Sequence, residues 1–286
     1  TSVYAWLPAL RSLALCPLAL CIVALCPAAQ AAEMLPACPV PTAPLDSSTV
    51  THPSVANMEA ATDPVPSTLT TPTAIHPPEP FRKLIVIGFM GGKVRANDFV
   101  HREASMARDL EQRYPMRLDA AVFANRNGDA ALNTVLQFLD KDENGCLSPT
   151  EKSAARIVIY GHSWGASQTV TLAHRLNKLD IPVLLTIQVD SVQKLNENDG
   201  RIPPNVREAV NFYQSEGLLH GRPVIEAMDP NQTRILGNFE SSYKDNPVSC
   251  AGFPWYARTF MKRHIQIEND PLVWNRIEAL IQAKLL

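Results

Sequence analysis

The sequence predicts an α/β fold, a mostly parallel sheet flanked by helices, and three observations predict it. Short apolar runs rich in β-branched residues recur beyond residue 80, among them Leu84-Ile85-Val86-Ile87 and Ile157-Val158-Ile159-Tyr160. They alternate with segments whose apolar residues fall at helical spacing. The runs are continuous rather than alternating, as expected of strands buried on both faces between helical layers.

The first 80 residues differ in kind. Arg11 precedes the apolar stretch SLALCPLALCIVALCPAA, and Ala29-Gln30-Ala31 places small residues at −3 and −1 of a cleavage site. One positive charge, an apolar core and an A-x-A end read as a secretory signal peptide over 1–31. An uncleaved N-terminal membrane anchor is the competing reading. Pro17, Pro27 and the modest length of the run weigh against it. The expectation is a secreted or periplasmic protein with no stable membrane span after cleavage. Residues 32–80, rich in Pro, Thr, Ala and Ser, bury too little apolar surface to offset ordering entropy and read as a disordered linker. The domain proper is 81–286, ample for one core. A net charge of −2 over 286 residues gives no reason to expect nucleic acid as a partner. Outside the signal lie Cys38, Cys146 and Cys250, which allow one disulfide and leave one thiol over, the pairing open.

Within the domain, a strand at 84–87 is followed by the loop Gly88-Phe89-Met90-Gly91-Gly92. A helix over 98–114 and a strand over 118–123 come next. The helix over 129–139 carries the stripe Ala131, Leu132, Val135, Leu136 and Leu139. After the strand at 157–160 and its helix come strands at 183–189, 210–214 and 234–237, and a last helix over 272–283. Ligands of such sheets sit at the carboxyl ends of strands. Ser163 and Asp190 both fall at such ends.

The turn after strand 157–160 reads Gly161-His162-Ser163-Trp164-Gly165, a G-x-S-x-G between strand and helix. A nucleophilic serine must stand clear of the sheet, reachable by a base on one side and substrate on the other. A sharp turn achieves this at the cost of backbone strain, and the glycines let neighbouring backbone approach. The helix start offers free N–H groups to a developing oxyanion.

On this elbow, the GFMGG loop and the order Ser, acid, His, residues 81–286 resemble the α/β-hydrolase superfamily, in particular its lipases, esterases and thioesterases. The resemblance implies a base that follows the acid, which leaves His220 and His264. It favours His264, just ahead of the terminal helix, where the family carries its histidine. The acid is assigned to Asp190, at the end of a long apolar strand, with Asp229, Asp245 and Glu226 as rivals. Many relatives carry this acid one strand later. The resemblance also implies oxyanion donors at the Trp164 N–H and at Phe89, with Met90 as the fallback because Ile87 stands where a histidine is usual.

A second motif spans 140–151. Asp140, Asp142, Asn144, Gly145 and Glu151 meet every fixed position of D-x-[DN]-x-[DN]-G-x₅-E and resemble an EF-hand calcium loop. The pattern assigns side-chain oxygens to Asp140, Asp142 and Asn144, a backbone carbonyl to Cys146, a direct or water-bridged contact to Ser148 and bidentate closure to Glu151. Only a short turn or helix fits before strand 157, so a structural Ca2+ is expected rather than a sensor.

These observations lead to a secreted serine hydrolase that cleaves carboxylic esters or thioesters through Ser163, His264 and Asp190. The expected partner is a small-molecule or lipid-like ester. No G-x-G-x-x-G appears, so no organic cofactor is expected. The alternatives are a non-catalytic calcium-stabilised binding domain on the same fold and an acyltransferase. Phe253, Trp255, Tyr256 and Phe260 are equally candidates for an acyl site and for core.

Overall fold

The computed structural model describes residues 82–195 and 197–286. The expected signal peptide and linker lie outside the described residues. In chain order the elements are β1 (Leu84–Met90), α1 (Arg102–Arg113), β2 (Leu118–Ala124), α2 (Gly128–Leu139), α3 (Pro149–Ser153), β3 (Ile157–His162) and α4 (Trp164–Asn177). There follow β4 (Val183–Val189), β5 (Arg201–Ile202), β6 (Val206–Tyr213), β7 (Glu226–Ala227) and β8 (Arg234–Glu240). Helices α5 (Trp255–Phe260), α6 (Lys262–Glu268) and α7 (Pro271–Gln282) close the chain.

Six strands form one sheet in the order β2-β1-β3-β4-β6-β8, and every neighbouring pair is parallel. β5 and β7 pair separately. The main sheet is buried on both faces. Ile85, Ile87 and Phe89 of β1, with Ile157 and Ile159 of β3, pack against Ala131 and Val135 of α2 and Val170 and Leu172 of α4. Their alternates Leu84, Val86, Val158 and Tyr160 face Met106 and Leu110 of α1 and Trp274 and Ile277 of α7. This is the mostly parallel, helix-flanked sheet of the α/β class. Continuous apolar runs in the strands follow directly from it, because each alternate residue has a helical layer to meet. No helix among the described residues is long and apolar enough to cross a membrane.

Several boundaries differ from expectation: α1 begins at Arg102 rather than 98 and β8 runs on to Glu240. β1 runs on through Gly88, Phe89 and Met90, so the GFMGG loop shrinks to its last two glycines. Gly88 is there for close approach, not for a turn: a Cβ on it would stand 2.6 Å from the Tyr160 hydroxyl. β6 begins at Val206 rather than 210. The charged Glu208 masks its start, yet this side chain is buried with Arg234 and Lys284 as ion-pair partners. His264, expected just ahead of the terminal helix, sits inside the short α6 that precedes α7 and is 2% exposed.

Candidate active site

Ser163 caps the strand-to-helix turn between β3 and α4 with φ 57° and ψ −125°. Its N–H donates to the Val189 carbonyl, tying the turn to the end of β4. Both flanking glycines are sterically required. A Cβ on Gly165 would lie 2.2 Å from the Phe89 carbonyl oxygen, and one on Gly161 would lie 2.5 Å from the Gly165 carbonyl. The turn packs so tightly on β1 and on itself that only hydrogen fits.

Asp190 lies one strand away at the end of β4, fully buried, and it too has a positive φ, 44°. His264 Nδ1 donates to its Oδ2 at 2.7 Å. Three further donors hold the carboxylate: Gln214 Nε2 at 2.8 Å, the Gly221 N–H at 2.7 Å and the Gln214 N–H at 3.2 Å. The carboxylate is thus aimed rather than merely near. With Nδ1 committed to Asp190, the acceptor nitrogen of a neutral His264 is Nε2. The rivals are elsewhere. His220 is exposed and donates to the Gly217 carbonyl, Asp245 and Glu226 are exposed, and Asp229 accepts from its own turn. Gln214 and Gly221 were not legible as site residues, since only folding brings their turn against Asp190.

Ser163 and His264 open into a cavity of about 440 Å³ walled by apolar groups, including Trp164, Val192, Leu219, Phe253 and Met261. Of the four aromatics singled out in the sequence, Phe253 and Tyr256 line it, while Trp255 and Phe260 face solvent. Phe89 and Met90 are fully buried in β1 and do not line it. The turn after β1 that does is Gly91-Gly92, and a Cβ on Gly91 would be 3.2 Å from the Ser163 Cβ.

The cavity floor holds a buried polar cluster the sequence did not reveal. His101 Nδ1 lies 2.5 Å from Glu268 Oε1, and His162 Nδ1 lies 3.4 Å from Glu268 Oε2 and 3.9 Å from Glu103 Oε1. The His162 ring stacks on His264 with centroids 4.4 Å apart. Burial, with the His264 and His101 charges, holds His162 well below the ordinary histidine range. Burial and the Glu268 charge push the Glu103 carboxyl up to about 8. Burial opposes a charge on His101, but its bond to Glu268 and the nearby carboxylates lift it to about 9.

At 140–151 the carboxylate oxygens of Asp140, Asp142 and Glu151 lie within 4.8 Å of one another. Gly145 has φ 79°, and its N–H donates to Asp140 Oδ2 at 2.9 Å. Asn144 Oδ1 accepts from the Cys146 N–H, and Asn144 Nδ2 donates to Asp142. Glu151 reaches both ends of the loop, accepting from the Lys141 N–H at 2.8 Å and the Ser148 N–H at 2.9 Å. With Ser148 it also forms the capping box that starts α3. Cys146 is disulfide-bonded and Cys250 is a free thiol.

No family model and no curated protein matches this sequence. Among solved structures it is similar to RedJ, a thioesterase from Streptomyces coelicolor, at 10% identity over 77% of this chain and 96% of that one, with a TM-score of 0.39. Human thioesterase 2 follows at 12% identity, over 71% of this chain and 98% of its own, with a TM-score of 0.37. An arylesterase aligns with 40% of this chain and 38% of its own, at 13% identity and a TM-score of 0.27.

Proposed function

We propose that the chain is a serine hydrolase acting on carboxylic esters or thioesters. The observation that carries the reading is the buried His264, 2.7 Å from Asp190 and lining the same cavity as an elbow serine at positive φ. Ser163 Oγ attacks the substrate carbonyl while His264 Nε2 takes its proton. Asp190 stabilises the imidazolium that forms and fixes its tautomer. The Trp164 N–H at the start of α4 meets the oxyanion. The second donor is drawn from Gly92 of the turn after β1 rather than from Phe89, because that turn lines the cavity and the Gly91 N–H already donates to Glu103 Oε1. Collapse of the tetrahedral adduct passes the proton to the departing alcohol or thiol, and water then releases the acid by the same route. The apolar walls fit an acyl chain.

Labelling by a fluorophosphonate tests this. Wild type is expected to label at Ser163, and Ser163→Ala to stay unlabelled though folded. A folded wild type that does not label sinks the reading in favour of a non-catalytic binding domain. An added alcohol that outcompetes water as acyl acceptor would instead identify an acyltransferase.

The reading includes a structural calcium ion held by the Asp140, Asp142 and Glu151 carboxylates, the Asn144 and Ser148 side chains and the Cys146 carbonyl. The clustered oxygens and the left-handed Gly145 support it. The Asn144 amide would have to turn its oxygen inward. Secretion is likewise part of the proposal, and the disulfide at Cys146 suits an oxidising compartment.

A further inference from the structure

Four side chains from three parts of the fold converge beneath the serine. His101 caps α1, Glu103 lies in its first turn, His162 ends β3 and Glu268 ends α6. We propose that His101, Glu103, His162 and Glu268 bind one divalent transition-metal ion of the zinc class.

The first argument is spacing. Ligands 2.0–2.2 Å from a tetrahedral ion stand roughly 3.3–3.5 Å from one another. The ligand atoms of His101, Glu103 and Glu268 all lie within 4.8 Å of one another, and His162 Nδ1 approaches Glu268 and Glu103 at 3.4 and 3.9 Å without joining that group, so the side chains must draw in around the ion. The His101–Glu268 contact, at 2.5 Å, is the one that must open as the ion enters.

The second argument is an unpartnered oxygen. Glu103 is fully buried and its Oε2 has no hydrogen-bond partner. Its Oε1 accepts from the Gly91 N–H at 3.2 Å, so only Oε2 is left over, and a buried carboxyl oxygen without a partner is costly whether or not it is ionised. The ionic partners of Glu103 and Glu268 among the described residues are histidines rather than lysine or arginine.

The third concerns the His162 tautomer. Its Nε2 lies 3.2 Å from the His264 carbonyl oxygen, which can only accept, so Nε2 carries the proton. In the neutral ring Nδ1 is then a bare lone pair facing carboxylate oxygens. A cation between them turns that repulsion into coordination. A histidine oriented by donating its other N–H to a backbone carbonyl is the usual arrangement of a metal ligand. Two imidazoles and two carboxylates suit zinc better than calcium or magnesium, which take all-oxygen sets. His101 and Glu268 line the cavity, which supplies the entry path.

The ion would tie α6 to α1 and β3 one helical turn beyond His264, making the four ligands positioning residues for that base. This consequence rests on the triad reading; binding of the ion does not.

The test is a cobalt(II) titration of metal-stripped full chain in excess calcium, which keeps the 140–151 loop occupied. Wild type is expected to take up one equivalent with the visible bands of a four-coordinate, imidazole-bound site. His101→Ala and the near-isosteric Glu103→Gln are expected to bind more than about 100-fold more weakly, beyond the usual effect of losing an outer-shell partner. Thermal melts establish that each variant is folded; if His101→Ala is not, Glu103→Gln decides alone. No cobalt spectrum from folded wild type, or unchanged affinity in the folded variants, overturns the proposal. Fluorophosphonate labelling of the same samples reads the serine separately, so the two readings fail independently.

Discussion

Ser163 and Asp190 share an uncommon property: each is a non-glycine residue held at positive φ. Such a conformation costs on the order of 1–3 kcal/mol and persists only where the surroundings over-determine it. At Asp190 those surroundings are the two donors of Gln214, the Gly221 N–H and His264. Asp190→Asn should therefore keep the fold while lowering kcat about 10⁴-fold, because an amide holds the wrong histidine tautomer. Turnover of a chromogenic ester, read beside a melting curve, checks this, and a loss of less than tenfold would remove Asp190 from the triad. Gly221→Ala makes the complementary case, since its Cβ would lie 2.3 Å from the Asp190 carbonyl carbon. It should lower activity and melting temperature together. Ser163 and Asp190 could be proposed from the sequence because each ends a strand of an α/β sheet, and a local motif marks the first; His264, inside α6, rested on the resemblance alone. Gln214, Gly221 and the His101–Glu103–Glu268 cluster had no local mark. His101 precedes the acid, so the chain-order argument that leaves His220 and His264 passes over it and is silent about packing.

Among the elements, the contact between α4 and β1 is the least forgiving. Gly165→Ala drives a methyl into the Phe89 and Met90 carbonyls, backbone atoms that cannot rotate away. A loss of about 3 kcal/mol or more is expected, at the upper end of overpacking effects; chemical denaturation measures it. The 140–151 loop makes a gentler prediction. Its hydrogen bonds hold the loop in shape by themselves, so chelation should lower the melting temperature without unfolding the domain. Asp142→Ala should abolish the calcium-dependent part of the melt and leave the rest nearly unchanged, as Asp142 is exposed and bonds only within the loop. A melt insensitive to calcium in wild type would refute the structural ion. Strand existence was legible from apolar runs, whereas strand ends were not. Gly88 read as a turn when it is a close contact, and Glu208 read as surface when it is paired and buried.

For the whole molecule, Glu208 joins distant parts of the chain. From β6 it meets Arg234 of β8 and Lys284 beyond α7. Burial alone would raise its pKa, but the bonds from Lys284 and Arg234 outweigh it and hold the carboxyl below its ordinary value of 4.5. A depressed folded pKa means stability that is complete above that value and lost as pH falls through the folded one. Glu208→Gln should remove about 1–2 kcal/mol at neutral pH, discounted for the exposure of Arg234, and flatten the loss below pH 4.5. Denaturation at pH 7 and at pH 3.5 or so separates this from a generic packing defect, which would cost the same at both.

The all-parallel strand order also governs how the chain can assemble. No two neighbours in the main sheet are joined by a hairpin, and β1 meets β3 only after a helix, a strand and two more helices have been synthesised between them. Each pairing must close a long loop before it gains anything, which slows folding and exposes strand edges meanwhile. The elbow inherits that delay. Gly165 has nothing to fit against until β1 has arrived beside β3, and the serine amide has no acceptor until β4 has docked. In a refolding reaction the competence to react with a phosphonate should therefore be among the last signals to return, lagging behind helix content.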